Sequence, residues 1–329
     1  MDNSPAVSPP SGPGVVEVAP RDGLQNESRA LSPQERALLI ERAVRAGARR
    51  VEAVAFVHPG RVPQMAGAEE VMALLKRPEG VRYSGLVLNA RGMERASGSG
   101  VHEINYALVA SDTFSRRNQG MGTEESLRAW EQVSALAHRE GIGRSLTIAA
   151  AFGCPFEGEI EESRVLELVR RGVAAGAEEI VLADTIGVGA PDAVTRLLEA
   201  VRAASPDVTL RCHFHNTRNT GYANAVAAAA AGAAWLDSSL GGIGGCPFAP
   251  AATGNIATED LVHLLHRMGM DTGIDLESAA TTGTWLGALL GIAVPALLGR
   301  AGSFPGTVTD PGTDAGRGSE SGSGSGEGK

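Results

Sequence analysis

The segment AGARRVEAVAF (46–56) ends a helix-period stretch at Ala-Gly-Ala and continues at once into a short apolar run. The same arrangement returns in AGAEEIVLADT (175–185) and AGAAWLDSSLGG (231–242). A glycine after a helix supplies the left-handed conformation that stops it, and a compact apolar run is typical of a strand buried on both faces. Each segment therefore predicts a helix that leads into a strand of a parallel sheet.

Eight runs of this kind predict the strands 15–20, 50–57, 82–89, 103–111, 145–152, 179–185, 209–216 and 235–241. Amphipathic segments between them predict helices, among them 33–46, 123–140, 160–175, 190–203 and 219–231. Eight alternations with short connections predict an α/β fold, a closed (β/α)8 TIM barrel. A doubly wound open sheet is the alternative, but it usually has a Gly-rich phosphate loop where this chain has Pro20-Arg21-Asp22-Gly23.

The two ends of the chain differ in composition from the part between them. Residues 1–14 are rich in Pro, Ser and Gly, and residues 301–329 end as GRGSESGSGSGEGK, so we expect two disordered tails. The catalytic domain is expected to cover 15–300. Its last part, 270–300, predicts a helical appendage with a Leu/Ala-rich face that would cover a barrel end or a second subunit, which favours a homodimer.

Composition excludes several classes of function. The net charge is −9 and no Lys/Arg cluster is long enough to follow a phosphate backbone, which argues against a nucleic-acid partner. Cys154, Cys212 and Cys246 are too few and too scattered for a disulfide framework. Residues 1–14 have neither the basic n-region nor the apolar h-region of a signal peptide, and the apolar stretches are too short or too interrupted to span a bilayer. We therefore expect a cytoplasmic protein without a membrane partner.

Polar residues crowd the end of the first predicted strand. The segment VVEVAPRDGLQNE (15–27) brings Arg21, Asp22 and Gln25 to the strand exit, where packing alone would not require them. Active sites of TIM barrels lie at the C-terminal ends of the strands. These three side chains are therefore candidates for the active site.

The seventh predicted strand ends in CHFHNT (212–217). Because residues i and i+2 of a strand point to the same face, His213 and His215 can converge on one ion, with Asp22 supplying a carboxylate. A site made of imidazoles and hard oxygen ligands can bind Mg, Mn or Zn, so the sequence leaves the identity of the metal open. The alternative is that one histidine packs against Phe214 while the other hydrogen-bonds in the core.

Two further features add candidates. The loop LGGIGGCPFAPAATGNIATED (240–260) contains Cys246, a candidate acid, base or nucleophile, and Asn255, whose amide oxygen could reach a hard cation. Glu52 and Asp184 are lone carboxylates within apolar runs, which are costly unless paired. They are either catalytic or structural, the latter through an ion pair or backbone hydrogen bonds.

Taken together, VEVAPRDGLQNE, the HFH of the seventh strand and GGIGGCPFAPAATGNIATED resemble the motifs of the 3-hydroxy-3-methylglutaryl-CoA (HMG-CoA) lyase family over about residues 15–290. The resemblance implies a divalent metal, Mg or Mn, and an acyl-CoA substrate. It implies metal ligation by Asp22, His213, His215 and Asn255. It also places around the reacting atoms the residues Arg21, Glu52, Asp184, His213 and Cys246, with Arg21 and Gln25 binding the substrate.

The implied reaction is retro-Claisen cleavage of HMG-CoA, or of a close 3-hydroxyacyl-CoA, to acetyl-CoA and acetoacetate. Asp184 or His213 would accept the hydroxyl proton, Arg21 would stabilise charge on the thioester oxygen, and Cys246 would protonate the enolate or exclude water. Asn216 stands where the family usually has aspartate, so the C3 substituent is left open. A Claisen-type synthase that condenses acetyl-CoA with a 2-oxo acid and a catalytically silent acyl-CoA-binding barrel are the alternatives; the Cys246 loop favours the lyase.

Overall fold

The computed structural model describes residues 11–245, 254–302 and 304. Most of the two predicted tails and Cys246 lie outside these residues. Eight parallel strands follow each other around a closed barrel in chain order, and the last strand pairs with the first. The predicted (β/α)8 barrel is confirmed.

The strands are β1 Gly14–Glu17, β2 Arg50–Ala55, β3 Arg82–Val87, β4 Glu103–Val109, β5 Gly143–Ala149, β6 Glu179–Asp184, β7 Thr209–Phe214 and β8 Trp235–Ser238. The helices are α1 Pro33–Arg45, α2 Ala68–Leu74, α3 Ala90–Ser97, α4 Asp112–Gln119, α5 Thr123–Arg139, α6 Glu162–Ala174, α7 Pro191–Ala204, α8 Gly221–Ala230, α9 Thr258–Arg267, α10 Leu276–Leu290 and α11 Leu298–Ala301. No described helix is long and apolar enough to cross a membrane.

Polar and apolar side chains alternate along strands that are buried on both faces. In β2, Arg50 and Glu52 bond to side chains of other strands across the barrel interior, whereas Val51, Ala53 and Ala55 belong to the apolar core outside it. This alternation follows from the two-residue period of a strand. The interior of this barrel is therefore polar, and the apolar core lies between the strands and the helices.

The first strand is shorter than predicted and shifted towards the N-terminus. It starts at Gly14, within the predicted tail, and ends at Glu17 instead of continuing through the predicted 15–20. The backbone N–H groups of residues 21–23 all donate to the carbonyl oxygen of Val18, at 3.2, 2.8 and 3.1 Å. This helical turn replaces the end of the strand and carries the Arg-Asp-Gly motif over the barrel opening.

The C-terminal appendage is helical, as predicted, and packs under the loop that follows β8. Gly283 of α10 lies so close to this loop that an added Cβ atom would be 2.1 Å from Glu259 Oε1 and 3.0 Å from Gly241 N. Glu259, at the start of α9, in turn accepts a hydrogen bond from Gly241 N. The appendage therefore supports the loop on which the predicted cysteine lies.

Candidate active site

A cavity of about 1210 Å³ opens at the C-terminal ends of the strands. Its lining includes Asp22 after β1, Val57 after β2, Thr185 after β6 and His215 after β7. This end of a TIM barrel is the one that carries the active site. Arg21 and Gln25, both predicted from the sequence, also line the cavity.

The candidate metal ligands Asp22, His213 and His215 converge in this cavity. Their ligand atoms all lie within 4.8 Å of one another. Asp22 Oδ2 is 3.8 Å from His213 Nε2 and 3.9 Å from His215 Nε2. The two histidines of the H-x-H motif thus share one face, and neither is explained by core packing alone.

The charge states of the three side chains suit a divalent cation. Burial, together with the neighbouring His213, lowers the pKa of His215 to about 4, so this imidazole is neutral. Its Nδ1 has no hydrogen-bond partner among the described residues. Burial would raise the pKa of Asp22, but Arg21 and the two histidines hold it well below its usual range. A neutral imidazole and an ionised carboxylate are the ligand forms of these groups, so the donor set fits a metal ion.

Asn255 contacts the same carboxylate oxygen as the histidines. Its Nδ2 donates to Asp22 Oδ2 at 3.0 Å and to the carbonyl oxygen of Ile243 at 3.1 Å. An isolated β-bridge between His215 and Asn255 fixes the backbone at this place. The predicted fourth ligand therefore adjoins the other three, with its amide nitrogen directed at Asp22.

Arg21 is held between two carboxylates. Its Nη1 donates to Asp22 Oδ1 and its Nη2 to Glu52 Oε2, both at 2.6 Å. Burial opposes the charge of Arg21, but Glu52 and Asp22 raise its pKa, so it stays protonated. Glu52 Oε1 accepts from Asn105 Nδ2 at 3.1 Å, and Asn105 Oδ1 accepts from Thr147 Oγ1 at 2.8 Å. Glu52 thus orients Arg21 from within the barrel.

Asp184, one of the two predicted candidates for the base, is bound by backbone N–H groups. Its Oδ1 accepts from the N–H of Val188 and its Oδ2 from the N–H of Gly189, both at 2.9 Å. Burial raises its pKa, against the effect of these hydrogen bonds. Asp184 is not among the residues that line the cavity. The observed bonds correspond to the structural alternative, in which this carboxylate holds the loop after β6.

Sequence reasoning missed Asp237 and Asn105, which both line the cavity. Asp237 Oδ2 lies 3.0 Å from His213 Nδ1. The signal was available in the buried strands, where polar residues recur at every second position, as in Glu103 and Asn105 of β4. This alternation, and not any single polar residue, is the signal of a polar barrel interior.

The basic residues at the mouth of the cavity were also missed. Arg61, Arg91 and Arg95 are part of its lining. Arg95 pairs with Glu69, at 2.6 Å, whereas Arg61 and Arg91 are exposed and form no ion pair with a described residue. Arg61 follows β2, and Arg91 and Arg95 lie on α3. Their guanidinium groups give this side of the cavity mouth a positive charge.

The sequence model of the HMGL-like family matches residues 13–285. The chain belongs to the HMGL-like family. Among its relatives, the (R)-citramalyl-CoA lyase of Chloroflexus aurantiacus is 46% identical over 88% of this chain and 94% of its own length. The hydroxymethylglutaryl-CoA lyase of Pseudomonas mevalonii is 43% identical, over 85% and 93%.

Solved structures of HMG-CoA lyases superpose on this HMGL-like barrel. That from Acinetobacter baumannii, in complex with coenzyme A and 3-methylmalate, has a TM-score of 0.85 at 38% identity and covers 91% of this chain and 97% of its own. That from Pseudomonas aeruginosa has a TM-score of 0.85 at 37% identity, over 89% and 98%. The predicted family is confirmed, and with it the class of enzyme, a carbon–carbon lyase.

Proposed function

We propose that this HMGL-like protein is a divalent-metal-dependent lyase that cleaves HMG-CoA to acetyl-CoA and acetoacetate. The observation that carries the proposal is the convergence of Arg21 with Asp22, His213 and His215 in one cavity. Asn255 would complete the ligand set through its Oδ1, after its amide turns from the contact with Asp22, and Gln25 would contact the substrate. The names of the relatives support the reaction class.

In the proposed reaction the C2–C3 bond of the substrate breaks after the C3 hydroxyl loses its proton. The C3 carbon becomes the ketone of acetoacetate, and the electron pair passes to C2 as the enolate of the thioester. When bound, a Mg or Mn ion would polarise the hydroxyl and favour loss of its proton. Arg21, permanently charged and held by Asp22 and Glu52, would stabilise the developing charge on the thioester oxygen.

Two side chains are candidates for the base that accepts the hydroxyl proton. His213 has one nitrogen towards Asp237 and the other towards Asp22, so ligation and base catalysis would compete for its Nε2. Asp184 would need to release its two backbone donors before it could act as the base. Cys246, which lies outside the described residues, stays the proposed proton donor to C2.

A second substrate is favoured by one specific observation, the 46% identity with an (R)-citramalyl-CoA lyase. Citramalyl-CoA also has a tertiary hydroxyl and a methyl group at C3, but its carboxylate is one methylene closer. The same bond cleavage would yield pyruvate in place of acetoacetate. No comparable observation favours a Claisen-type synthase or a silent barrel.

The mouth of the cavity suits a coenzyme A thioester. Arg61 and Arg91 offer two exposed guanidinium groups that form no ion pair with a described residue, and phosphates are preferred partners of such groups. The thioester would then reach inwards to Arg21. Arg116 and Arg117 are not part of the lining. Arg116 pairs with Asp112, and Arg117 lies over Phe156.

The test is product formation from HMG-CoA and from citramalyl-CoA, with acetyl-CoA, acetoacetate and pyruvate measured separately. The enzyme is first stripped of metal with a chelator and then assayed with Mg²⁺ or Mn²⁺. We expect turnover only after metal is restored, and a loss of at least about 100-fold for His215→Ala. The control is Arg117→Ala, outside the cavity, which should turn over like the wild type.

The two substrates separate the two candidate functions. Faster release of acetoacetate than of pyruvate supports the HMG-CoA assignment, and the reverse supports citramalyl-CoA. An enzyme that binds metal but cleaves neither thioester would contradict the proposal.

A further inference from the structure

Asp237 lies directly behind one of the candidate metal ligands. It is the register partner of His213 on the neighbouring strand, and its Oδ2 is 3.0 Å from His213 Nδ1. Only 4% of Asp237 is exposed, so water does not compete strongly for this hydrogen bond. The contact therefore fixes the imidazole ring from β8.

Arg211 orients this carboxylate. The Nε of Arg211, a residue that is 1% exposed, donates to Asp237 Oδ1. The other oxygen of Asp237 faces His213 Nδ1, so this ring nitrogen is the donor to the carboxylate. The Nε2 of His213 then lies on the side that faces Asp22, 3.8 Å from Asp22 Oδ2.

Arg211 is itself held by a chain of charges through the barrel interior, here called the interior ladder. Arg211 Nη1 lies 3.5 Å from Glu179 Oε1, and Glu179 accepts from Arg50 at 2.7 Å. Arg50 also donates to Glu103 at 2.7 Å, and Glu103 accepts from Arg82 at 2.6 Å. With Asp237 included, three carboxylates alternate with three guanidinium groups, so each buried charge has a partner of opposite sign.

We infer that Asp237, held by Arg211, is a positioning residue that keeps the Nε2 of His213 free and aimed at the metal site. Hydrogen bonds from a carboxylate to a ligating histidine fix its tautomer and orientation, and their loss commonly weakens metal affinity 10- to 100-fold. The inference rests on the metal site of the proposed function. It goes beyond that function because it assigns a role to two residues of the polar barrel interior.

The first test measures the dissociation constant of Mn²⁺ by electron paramagnetic resonance of the free ion, without substrate. We expect Asp237→Ala to raise this constant by about 10- to 100-fold, and the isosteric Asp237→Asn by about 10-fold. The matched control is Glu103→Gln, which removes a charge from the far part of the interior ladder. It should lower the midpoint of thermal unfolding but leave the Mn²⁺ constant within about twofold, because Asp237 keeps both its partners.

A second measurement needs no variant of the ladder and so does not depend on folding of the mutants. Proton–nitrogen correlation spectra of ¹⁵N-histidine-labelled metal-free protein, with His213→Gln for assignment, report which ring nitrogen is protonated. We expect His213 to carry a proton on Nδ1. A ring that carries its only proton on Nε2, or a folded Asp237→Asn variant that binds Mn²⁺ like the wild type, overturns the inference. If the wild type binds no Mn²⁺ at all, the proposed metal dependence fails instead.

Discussion

The guanidinium of Arg21 bridges Asp22 and Glu52, and each of its two terminal nitrogens lies 2.6 Å from a carboxylate oxygen. Asp22 in turn presents its other oxygen to the histidines. One carboxylate thus joins the proposed metal site to the cation that would face the thioester. A lysine has a single charged nitrogen and cannot reproduce this planar bridge.

We therefore expect Arg21→Lys to lower kcat by about 10²- to 10³-fold, the loss typical when a donor to a developing oxyanion is removed. The Mn²⁺ dissociation constant should change much less, because Asp22 and both histidines remain. Steady-state kinetics and a metal titration of the same sample make the comparison. A kcat close to that of the wild type would remove Arg21 from the proposed chemistry.

The mouth arginines give a second prediction for single residues. Arg61→Ala and Arg91→Ala should each raise KM for the acyl-CoA by about 3- to 10-fold and change kcat little, since a charged hydrogen bond contributes about 1 kcal/mol or more. The substrate in this experiment is whichever of HMG-CoA and citramalyl-CoA is cleaved faster in the product assay. Arg117→Ala is the matched control. Equal KM values in all three variants would place the phosphates elsewhere.

Among the elements, α10 shows how closely the appendage and the loop after β8 depend on each other. Gly283 allows the helix backbone to approach Glu259, whose carboxylate accepts from Gly241 N. A side chain at position 283 would force these atoms apart. The base of the loop would then lose part of its support.

Gly283→Ala is accordingly expected to destabilise the protein by about 1–3 kcal/mol and to lower activity, because the loop base shifts. Urea unfolding measures the first effect and the lyase assay the second. Gly98, the C-terminal cap of α3, has open space around its Cα, so Gly98→Ala should change the free energy of unfolding by less than about 1 kcal/mol. Equal effects of the two substitutions would contradict the proposed close contact.

All eight strands were predicted from the sequence, whereas the short helices α2, α3 and α4 were not among the predicted segments. Ala-Gly-Ala followed by an apolar run located β2, β6 and β8 in the correct regions. The turn after Val18 could not be predicted, because its bonds to one carbonyl depend on β8 and the neighbouring loop holding the chain there. Short elements such as α4, with 8 residues within 110–120, make only about two turns, which is too few for an apolar stripe to be readable.

For the site, the motif residues were predicted and their partners were not. Arg21, Asp22 and the two histidines stand out because they crowd strand ends. The role of Asp237 depends on which strand lies beside β7 and in which register, and this is a property of the closed barrel. Such a pairing becomes visible only in three dimensions.

At the scale of the whole molecule, two buried carboxyl groups link stability to pH. Glu17 lies at the end of β1, and burial raises its pKa to about 7 although Thr258 and two backbone N–H groups donate to it. Burial also raises the pKa of Glu259 to about 8. In the unfolded chain both would titrate near 4.5. The folded protein therefore binds more protons between these values, and its stability falls as pH rises.

We expect the free energy of unfolding to decrease by roughly 6 kcal/mol, as an order of magnitude, between pH 5 and pH 8 through these groups, because each loses about 1.4 kcal/mol per pH unit until the pH reaches its folded-state pKa. Glu259→Gln removes one of the two titrating groups, so the slope of its profile should be shallower over the same range. Chemical denaturation of metal-free protein at several pH values gives both profiles. Parallel profiles for the two proteins would show that Glu259 does not titrate as expected.

The pairing of β8 with β1 has a consequence for biosynthesis. Asp22 emerges from the ribosome long before His213, His215 and Asn255, yet these three side chains all face its Oδ2. A growing chain thus has the carboxylate but cannot complete the candidate metal site until the eighth strand closes the ring and Asn255 follows it. A fragment released before that point would carry only part of the candidate metal site, so a shortened translation product would lack the proposed metal-dependent activity.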